Sequence, residues 1–214
     1  GFQFVLGEFI KLDPNSNELL LKEHHDDEGN LLLPLRTIKF DLVVIAIGSI
    51  SNDFNTPGVS QYCFFLDSQK QAERFQNSLL ISFTRVHQNS TEDSQDTLSI
   101  AIVGGGATGV ELSAELVHVS TLLKHYGMSK LNSTKLTINL IEAGPRILPA
   151  LPDRIANAAR KELRNLGVQV NESMRITQAT DEGFVTDCDT LIKADLMLWA
   201  AGVKVADHIK EISE

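Results

Sequence analysis

The spacing of apolar residues changes character near residue 50. Up to that point apolar positions follow a partial period of two: Phe2, Phe4, Leu6 and Ile10, then Leu19 and Leu21. This rhythm predicts strands over residues 2–11 and 18–25. Asp13-Pro-Asn-Ser-Asn17 is a turn cluster between them, and Asp26-Asp-Glu-Gly-Asn30 leads into another short strand. The expected object is a small antiparallel β-meander. Phe40-Asp-Leu-Val-Val-Ile-Ala-Ile47 is continuous and rich in β-branched residues, as suits a strand buried on both faces, and it stops at Gly48-Ser49. The polar, Pro-containing stretch 52–58 marks a boundary between a segment 1–52 and a domain over 53–205. Residues 206–214 are expected to turn back toward the first segment.

Past the boundary the rhythm alternates between three-to-four and continuous. Ala72, Phe75, Leu79 and Phe83 predict a helix from Ser68 to about Gln88, with Ser68 as N-cap, followed by a polar loop over 88–97. Leu98–Val103 reads as a strand, Ala107 to about Tyr126 as a long helix ending near Gly127, and Leu136–Ile141 as the next strand. Pro152–Leu166 reads as an amphipathic helix closed by Gly167. Short strands are expected at 168–170, 174–178, 184–186 and 190–193, forming an antiparallel flap. A buried strand, 194–201, ends at Gly202. Strands alternating with helices imply a parallel sheet. The fold class is α/β: a Rossmann-like parallel sheet carrying a small antiparallel β-meander, preceded by an N-terminal β strip.

The chemistry concentrates where the strand at 98–103 meets the following helix. Gly104, Gly106 and Gly109 hold the G-x-G-x-x-G spacing, with Gly105, Ala107 and Thr108 between them. Gly104 permits a sharp turn out of the strand, Gly106 lets backbone approach a pyrophosphate, and Gly109 allows close packing of helix on sheet. The helix N-terminus then offers free N–H groups and the positive end of its dipole. Glu142, at the end of the next strand, suits the adenosine ribose hydroxyls and would repel a 2′-phosphate, which favours NAD(H) over NADP(H). Its interval from Gly109 is longer than usual, and Arg146 nearby could instead meet a phosphate. Glu111 falls in the expected first helical turn. It either faces the nicotinamide or only stabilises the helix dipole, an effect of about 0.3–1 kcal/mol. Asp41…Ala46-Ile-Gly48 and Asp195…Ala200-Ala-Gly202 repeat one design, in which small residues at a strand's carboxyl end leave room for a flat ligand.

Composition narrows the choices. A net charge of −9 over 214 residues argues against a nucleic-acid groove. No apolar run approaches the roughly 20 residues of a membrane span. The chain lacks an initiator Met and a signal-peptide pattern, so the native N-terminus is expected to lie elsewhere. Cys63 and Cys188 are isolated, fit small buried positions better than a metal or redox pair, and point to a reducing cytosolic setting. His24, His25, Asp26 and Asp27 read as a solvated hairpin tip, and no metal site is indicated. Asn89-Ser-Thr91 and Asn132-Ser-Thr134 match the glycosylation pattern, which matters only in secreted proteins.

Five stretches resemble the flavoprotein oxidoreductases that carry two dinucleotide domains, and most of all the type II NADH:quinone oxidoreductases. They are residues 40–48, Asn55-Thr-Pro-Gly58, Ile102-Val-Gly-Gly-Gly-Ala-Thr-Gly-Val-Glu-Leu112, Ile141-Glu-Ala-Gly-Pro-Arg-Ile-Leu-Pro149 and Asp195-Leu-Met-Leu-Trp-Ala-Ala-Gly-Val203. The resemblance implies that Gly104, Gly105, Gly106, Ala107, Thr108 and Gly109 bind the NADH pyrophosphate and Glu142 the ribose. It places Glu111, as a catalytic residue, and Ala201-Gly202 near the nicotinamide, and Gly48 at the seam with a flavin domain. It further implies hydride transfer from NADH to FAD and electron transfer to a quinone at the inner face of the cytoplasmic membrane, with a possible homodimer. The family's own FAD fingerprint, later flavin and quinone motifs and membrane helices have no counterpart in this sequence. The resemblance therefore implies a piece centred on the NADH domain, with an incomplete FAD site and no membrane contact of its own. A ferredoxin- or rubredoxin-type reductase, a coenzyme A disulfide reductase relative, and a non-catalytic NAD(H) sensor are the rival readings.

Overall fold

The computed structural model describes residues 1–89, 97–125 and 136–205. In chain order the elements are β1 (Phe9–Asp13), β2 (Glu18–Leu21), β3 (His24–His25), β4 (Leu31–Leu33), β5 (Arg36–Lys39), β6 (Ile50–Ser51), α1 (Val59–Tyr62), α2 (Gln69–Asn89), β7 (Leu98–Val103), α3 (Ala107–His125), β8 (Leu136–Ile141), α4 (Asp153–Asn165), β9 (Gln169–Asn171), β10 (Ile176–Ala179), β11 (Gly183–Thr186), β12 (Leu191–Lys193), β13 (Leu196–Trp199) and β14 (Val203–Lys204). Two compact units result, one built on Gly1–Ser49 and one on Ile50–Lys204.

The first unit is an antiparallel sheet in the order β1-β2-β5 with a separate β3-β4 hairpin. Carboxylates close its turns. Asp13 Oδ1 accepts the Asn15 and Ser16 N–H groups, and Asp26 Oδ1 accepts those of Glu28 and Asn30. These bonds hold both carboxyls below the ordinary range, Asp13 chiefly through Asn15 and Asp26 through the Asn30 side chain. His24 and His25 stand exposed beside that turn. Three expectations change. Residues 2–8 form no strand, and Phe2 and Phe4 are exposed. The segment after Asn30 gives two short strands where one was expected. The run 40–47 is not a strand at all: beyond the Phe40 N–H, which donates to the Asn17 carbonyl, it enters no strand pairing among the described residues, and Leu42 and Val44 are 84% and 79% exposed. A β-branched run becomes a buried strand only where hydrogen-bonding neighbours and covering layers are supplied.

The second unit has three layers. At its centre lies a parallel sheet in the order β13-β7-β8-β9, extended past β13 by Phe64, which bridges to Leu198. Alternate residues of β7, β8 and β13 point to opposite faces. Leu98, Ile100, Ile102, Ile138, Leu140 and Leu198 meet Phe75, Leu79, Phe83 and Val86 of α2, Leu116 of α3, and Ala156 and Leu163 of α4. Ala101, Val103, Ile141, Met197 and Trp199 face the antiparallel flap β10-β11-β12 through Ile176, Ala179 and Phe184. Burial of each large side chain contributes about 1.5–3 kcal/mol, so this sandwich dominates the unit's stability.

The helices follow their sequence signals. Ser68 Oγ accepts the Gln71 N–H and starts α2. Its buried face is set by Phe75 to Val86, and Ala72 is exposed. Helix α4 ends in a Schellman arrangement: Gly167, at φ +90°, donates to the Arg164 carbonyl and Val168 to that of Leu163. The stretch 168–170, expected in the flap, instead supplies β9, paired parallel to β8. Cys188, expected to be buried, is exposed at the β11–β12 turn. The expected loop at 88–97, the end of the long helix near Gly127 and the tail 206–214 fall wholly or largely outside the described residues, as does the Asn132 glycosylation pattern.

Candidate functional site

Sheet order reverses between β7 and β13. From β7 the chain moves through α3 to β8 on one side, while β13 returns on the other. Open parallel sheets bind ligands at such a switch point, beyond the strands' carboxyl ends. A cavity of about 410 Å³ lies there, lined by Val103, Gly104, Gly106, Glu142, Ala143, Pro149, Trp199, Ala200, Ala201, Gly202, the flap residues Met174, Arg175 and Ile176, and Phe54 and Thr56.

The glycines differ sharply in their surroundings. A Cβ on Gly104 would sit 2.6 Å from the Ala200 carbonyl, and its φ of +116° is one that side chains rarely adopt. A Cβ on Gly105 would press on Glu142 and Ile147, and one on Gly109 would fall on the Gly104 carbonyl. Gly106 is the exception, because nothing lies within 4 Å of its missing Cβ. Three glycines are therefore needed by the protein's own packing, and the fourth borders open space. The Gly106 carbonyl accepts the Val110 N–H and caps α3. The N–H groups of the first helical turn that follows have no intrahelical acceptor.

Glu142 is half-buried and already engaged. Its Oε2 accepts the Gly105 N–H at 2.6 Å and its Oε1 the Gly144 N–H at 2.6 Å. Each carboxylate oxygen keeps a second lone pair for a ligand hydroxyl. Arg146 is largely engaged within the protein. Its guanidinium donates to the carbonyls of Leu148, Pro149 and Leu151 and pairs with Asp153 at 3.2 Å. The alternative of Arg146 meeting a phosphate is thereby displaced by a backbone-clamping role.

The other sequence-derived residues are placed as follows. Ala201 and Gly202 line the cavity beside Gly104, Gly106 and Glu142. Gly105 and Gly109 are buried behind the turn, while Ala107 and Thr108 are exposed at the helix start. Glu111 lies one position past the first turn of α3, where an early-turn acid was expected. It is exposed and does not line the cavity. Gly48, at φ +78°, belongs to the first unit. Phe54, Thr56, Pro149, Met174 and Arg175 were not expected. The Asx pattern at Asn52 and Asp53 was the available signal for the first two. Asn52 Oδ1 accepts the Phe54 N–H and Asp53 Oδ1 that of Asn55, which fixes both residues at positive φ. Trp199 Nε1 then donates to the Asn52 carbonyl at 2.8 Å and ties this connector to β13.

Both described cysteines are free. Burial pushes the Cys63 thiol up to about 12, whereas the Thr186 and Thr190 hydroxyls draw that of Cys188 below its usual value. Among the described residues no cluster of His, Cys, Asp or Glu could hold a metal ion.

A glycine turn joining parallel strand to helix, set at the point where strand order reverses, defines a Rossmann-like dinucleotide-binding unit. The chain belongs to the pyridine nucleotide-disulphide oxidoreductase family, which matches residues 1–213. It is 43% identical over 96% of its length to the type II NADH:quinone oxidoreductase of Haemophilus influenzae, covering 49% of that protein. It is 30% identical to the external alternative NAD(P)H-ubiquinone oxidoreductase B1 of Solanum tuberosum over 99% of the chain and 38% of that protein. The chain thus spans half or less of the curated relatives' length. Its fold matches NDH2 of Plasmodium falciparum, solved in complex with NADH, with a TM-score of 0.77 at 23% identity over 96% of this chain and 42% of that one. It also matches a ferredoxin reductase of Rhodopseudomonas palustris, with a TM-score of 0.65 at 15% identity over 93% and 41% of the two chains.

Proposed function

We propose that the cavity binds NADH and that this chain is the NADH-binding part of a flavin-dependent NADH dehydrogenase delivering electrons to a quinone. The observation that carries the reading is the open space at Gly106 among glycines otherwise packed tight, at the sheet's switch point. The pyrophosphate lies against Gly106, facing the free N–H groups of Ala107 and Thr108. Glu142 accepts the adenosine ribose hydroxyls with the lone pairs that Gly105 and Gly144 leave over. The nicotinamide lies along Ala201-Gly202, between Trp199 and Phe54.

When bound, the nicotinamide supplies hydride, and the protein supplies its position. Among the described residues there is one strand–glycine turn–helix unit, so they fit one dinucleotide. Among the described residues no helix is long and apolar enough to cross a membrane. With Arg146 bonded to backbone carbonyls and Glu142 at the ribose position, a 2′-phosphate meets a carboxylate, so NADPH should bind more weakly than NADH, and Arg175 is the lining cation that would act against this preference.

The test is a fluorescence titration of NADH against the unaltered chain and Gly106→Val. The valine enters open space, so the fold should be retained while affinity falls by about a hundredfold or more, some 2.7 kcal/mol. Normal binding by Gly106→Val, or NADPH binding as tight as NADH, would count against the assignment.

A further inference from the structure

Behind the residues that line the cavity stands a second set that does not. Ile147 is fully buried, and its Cγ2 atom lies 2.9 Å from where a Gly105 side chain would begin. The next residue, Leu148, has a φ of +50°. A branched residue held there costs about 1–3 kcal/mol and persists only where its surroundings enforce it. Here they do. Leu148 donates its N–H to the Gly105 carbonyl at 2.7 Å and accepts from Arg146 Nη1 at 2.9 Å. One residue upstream, the Ile147 N–H donates to Glu172 Oε1 at 2.8 Å. The same oxygen accepts Arg160 Nε at 3.0 Å and Nη2 at 2.8 Å, and the Arg160 and Glu172 side chains are only 20% and 16% exposed.

We infer that Glu172 is a positioning residue for the dinucleotide site, setting the Gly104–Gly106 turn through Ile147 and Leu148. The inference rests on the reading that this turn holds NADH. The physical link is the planarity of one peptide. With the Gly105 carbonyl fixed on Leu148, the Gly106 N–H across the same trans peptide points away from the loop. Gly106 lines the cavity, and Glu172 does not. The Gly105 N–H is fixed in turn by Glu142, so the turn is held from both sides before any ligand arrives.

The experiment compares Glu172→Ala, Glu172→Gln and Leu163→Ala, a buried α4 substitution that lowers stability while leaving every hydrogen bond of the loop in place. Two quantities are read: the Gly106 and Leu148 amide resonances without ligand, and NADH affinity. Glu172→Ala should move both resonances and weaken NADH about tenfold, the scale of one hydrogen bond to a charged group. Glu172→Gln keeps an acceptor for Ile147 and should restore most of the loss. Leu163→Ala should leave affinity and both resonances unchanged. If Glu172→Ala does not fold, Glu172→Asp, whose shorter side chain withdraws from Ile147, must show the same amide shifts. Unmoved resonances, or equal loss of affinity in Leu163→Ala, would overturn the inference. Absence of NADH binding by the unaltered chain would remove the site assignment, while the Gly106 resonance would still decide whether Glu172 sets the turn.

Discussion

Two stretches of this chain share almost one sequence pattern and meet opposite fates. Residues 41–48 and 195–202 each run from an aspartate through apolar residues to a small residue and glycine. In the second unit the pattern yields β13, whose four residues are all buried and paired to β7. In the first unit it yields no strand, and Leu42, Val44 and Ile47 stand exposed. The aspartates differ in the same way. Asp195 accepts the Ser99 N–H at 2.9 Å and pairs with Arg85 at 3.0 Å, whereas Asp41 makes no ion pair among the described residues. Strand propensity is thus a permission, and the neighbours decide whether it is used.

The comparison breaks most visibly at the apolar positions. Leu198→Ala should destabilise the second unit by about 2–5 kcal/mol, because it opens a cavity between layers. Val44→Ala, in the matching run, should stay within about 0.5 kcal/mol, as exposed substitutions do. Urea unfolding of both variants measures the pair, and a large effect at Val44 would show that the run is covered in solution. At the aspartates the contrast should be smaller. Asp195→Asn should cost roughly 1–2 kcal/mol by weakening two hydrogen bonds, one of them charged on both sides, and Asp41→Asn should be silent in the same melts.

The smallest effect concerns acid. Burial alone would raise the Glu172 carboxyl, but its hydrogen bonds to Arg160 and Ile147 and the nearby Arg160 and Arg164 charges outweigh this and lower it. A lowered carboxyl contributes stability above the ordinary glutamate value, about 4.3, and loses it as pH falls through the folded-state value. Thermal melts of the second unit between about pH 5 and pH 2 should therefore show a shallower acid loss in Glu172→Gln than in the unaltered chain. Parallel curves would remove Glu172 from the acid response.

What could be read from sequence divides along the same line. Strands β7 and β8 and helices α2, α3 and α4 were legible because length, period and caps lie within each segment. The glycine turn was legible because its spacing between strand and helix is local, although the crowding at Gly104 comes from the distant Ala200 carbonyl. The run 40–47 was misread, and the strand expected at 168–170 was assigned to the wrong sheet, because eight or three residues do not encode which strand will lie beside them. The far wall of the cavity was missed for a related reason: Phe54, Thr56 and Met174 reach it only through tertiary bonds such as Trp199 to Asn52. Glu142 was recognised by position, yet its two bonds to backbone N–H groups follow from the fold of the loop after it. Arg146 was legible as a cation and not as a clamp, since its three carbonyl partners meet only once Leu148 turns.

Trp199 is the single indole of the chain, and it forms part of the cavity wall while remaining 4% exposed. Its ultraviolet emission therefore reports on that one place. A reduced nicotinamide ring resting beside it absorbs where indole emits and would drain the excited state, so the molecule carries its own optical gauge of occupancy, readable without dye or label.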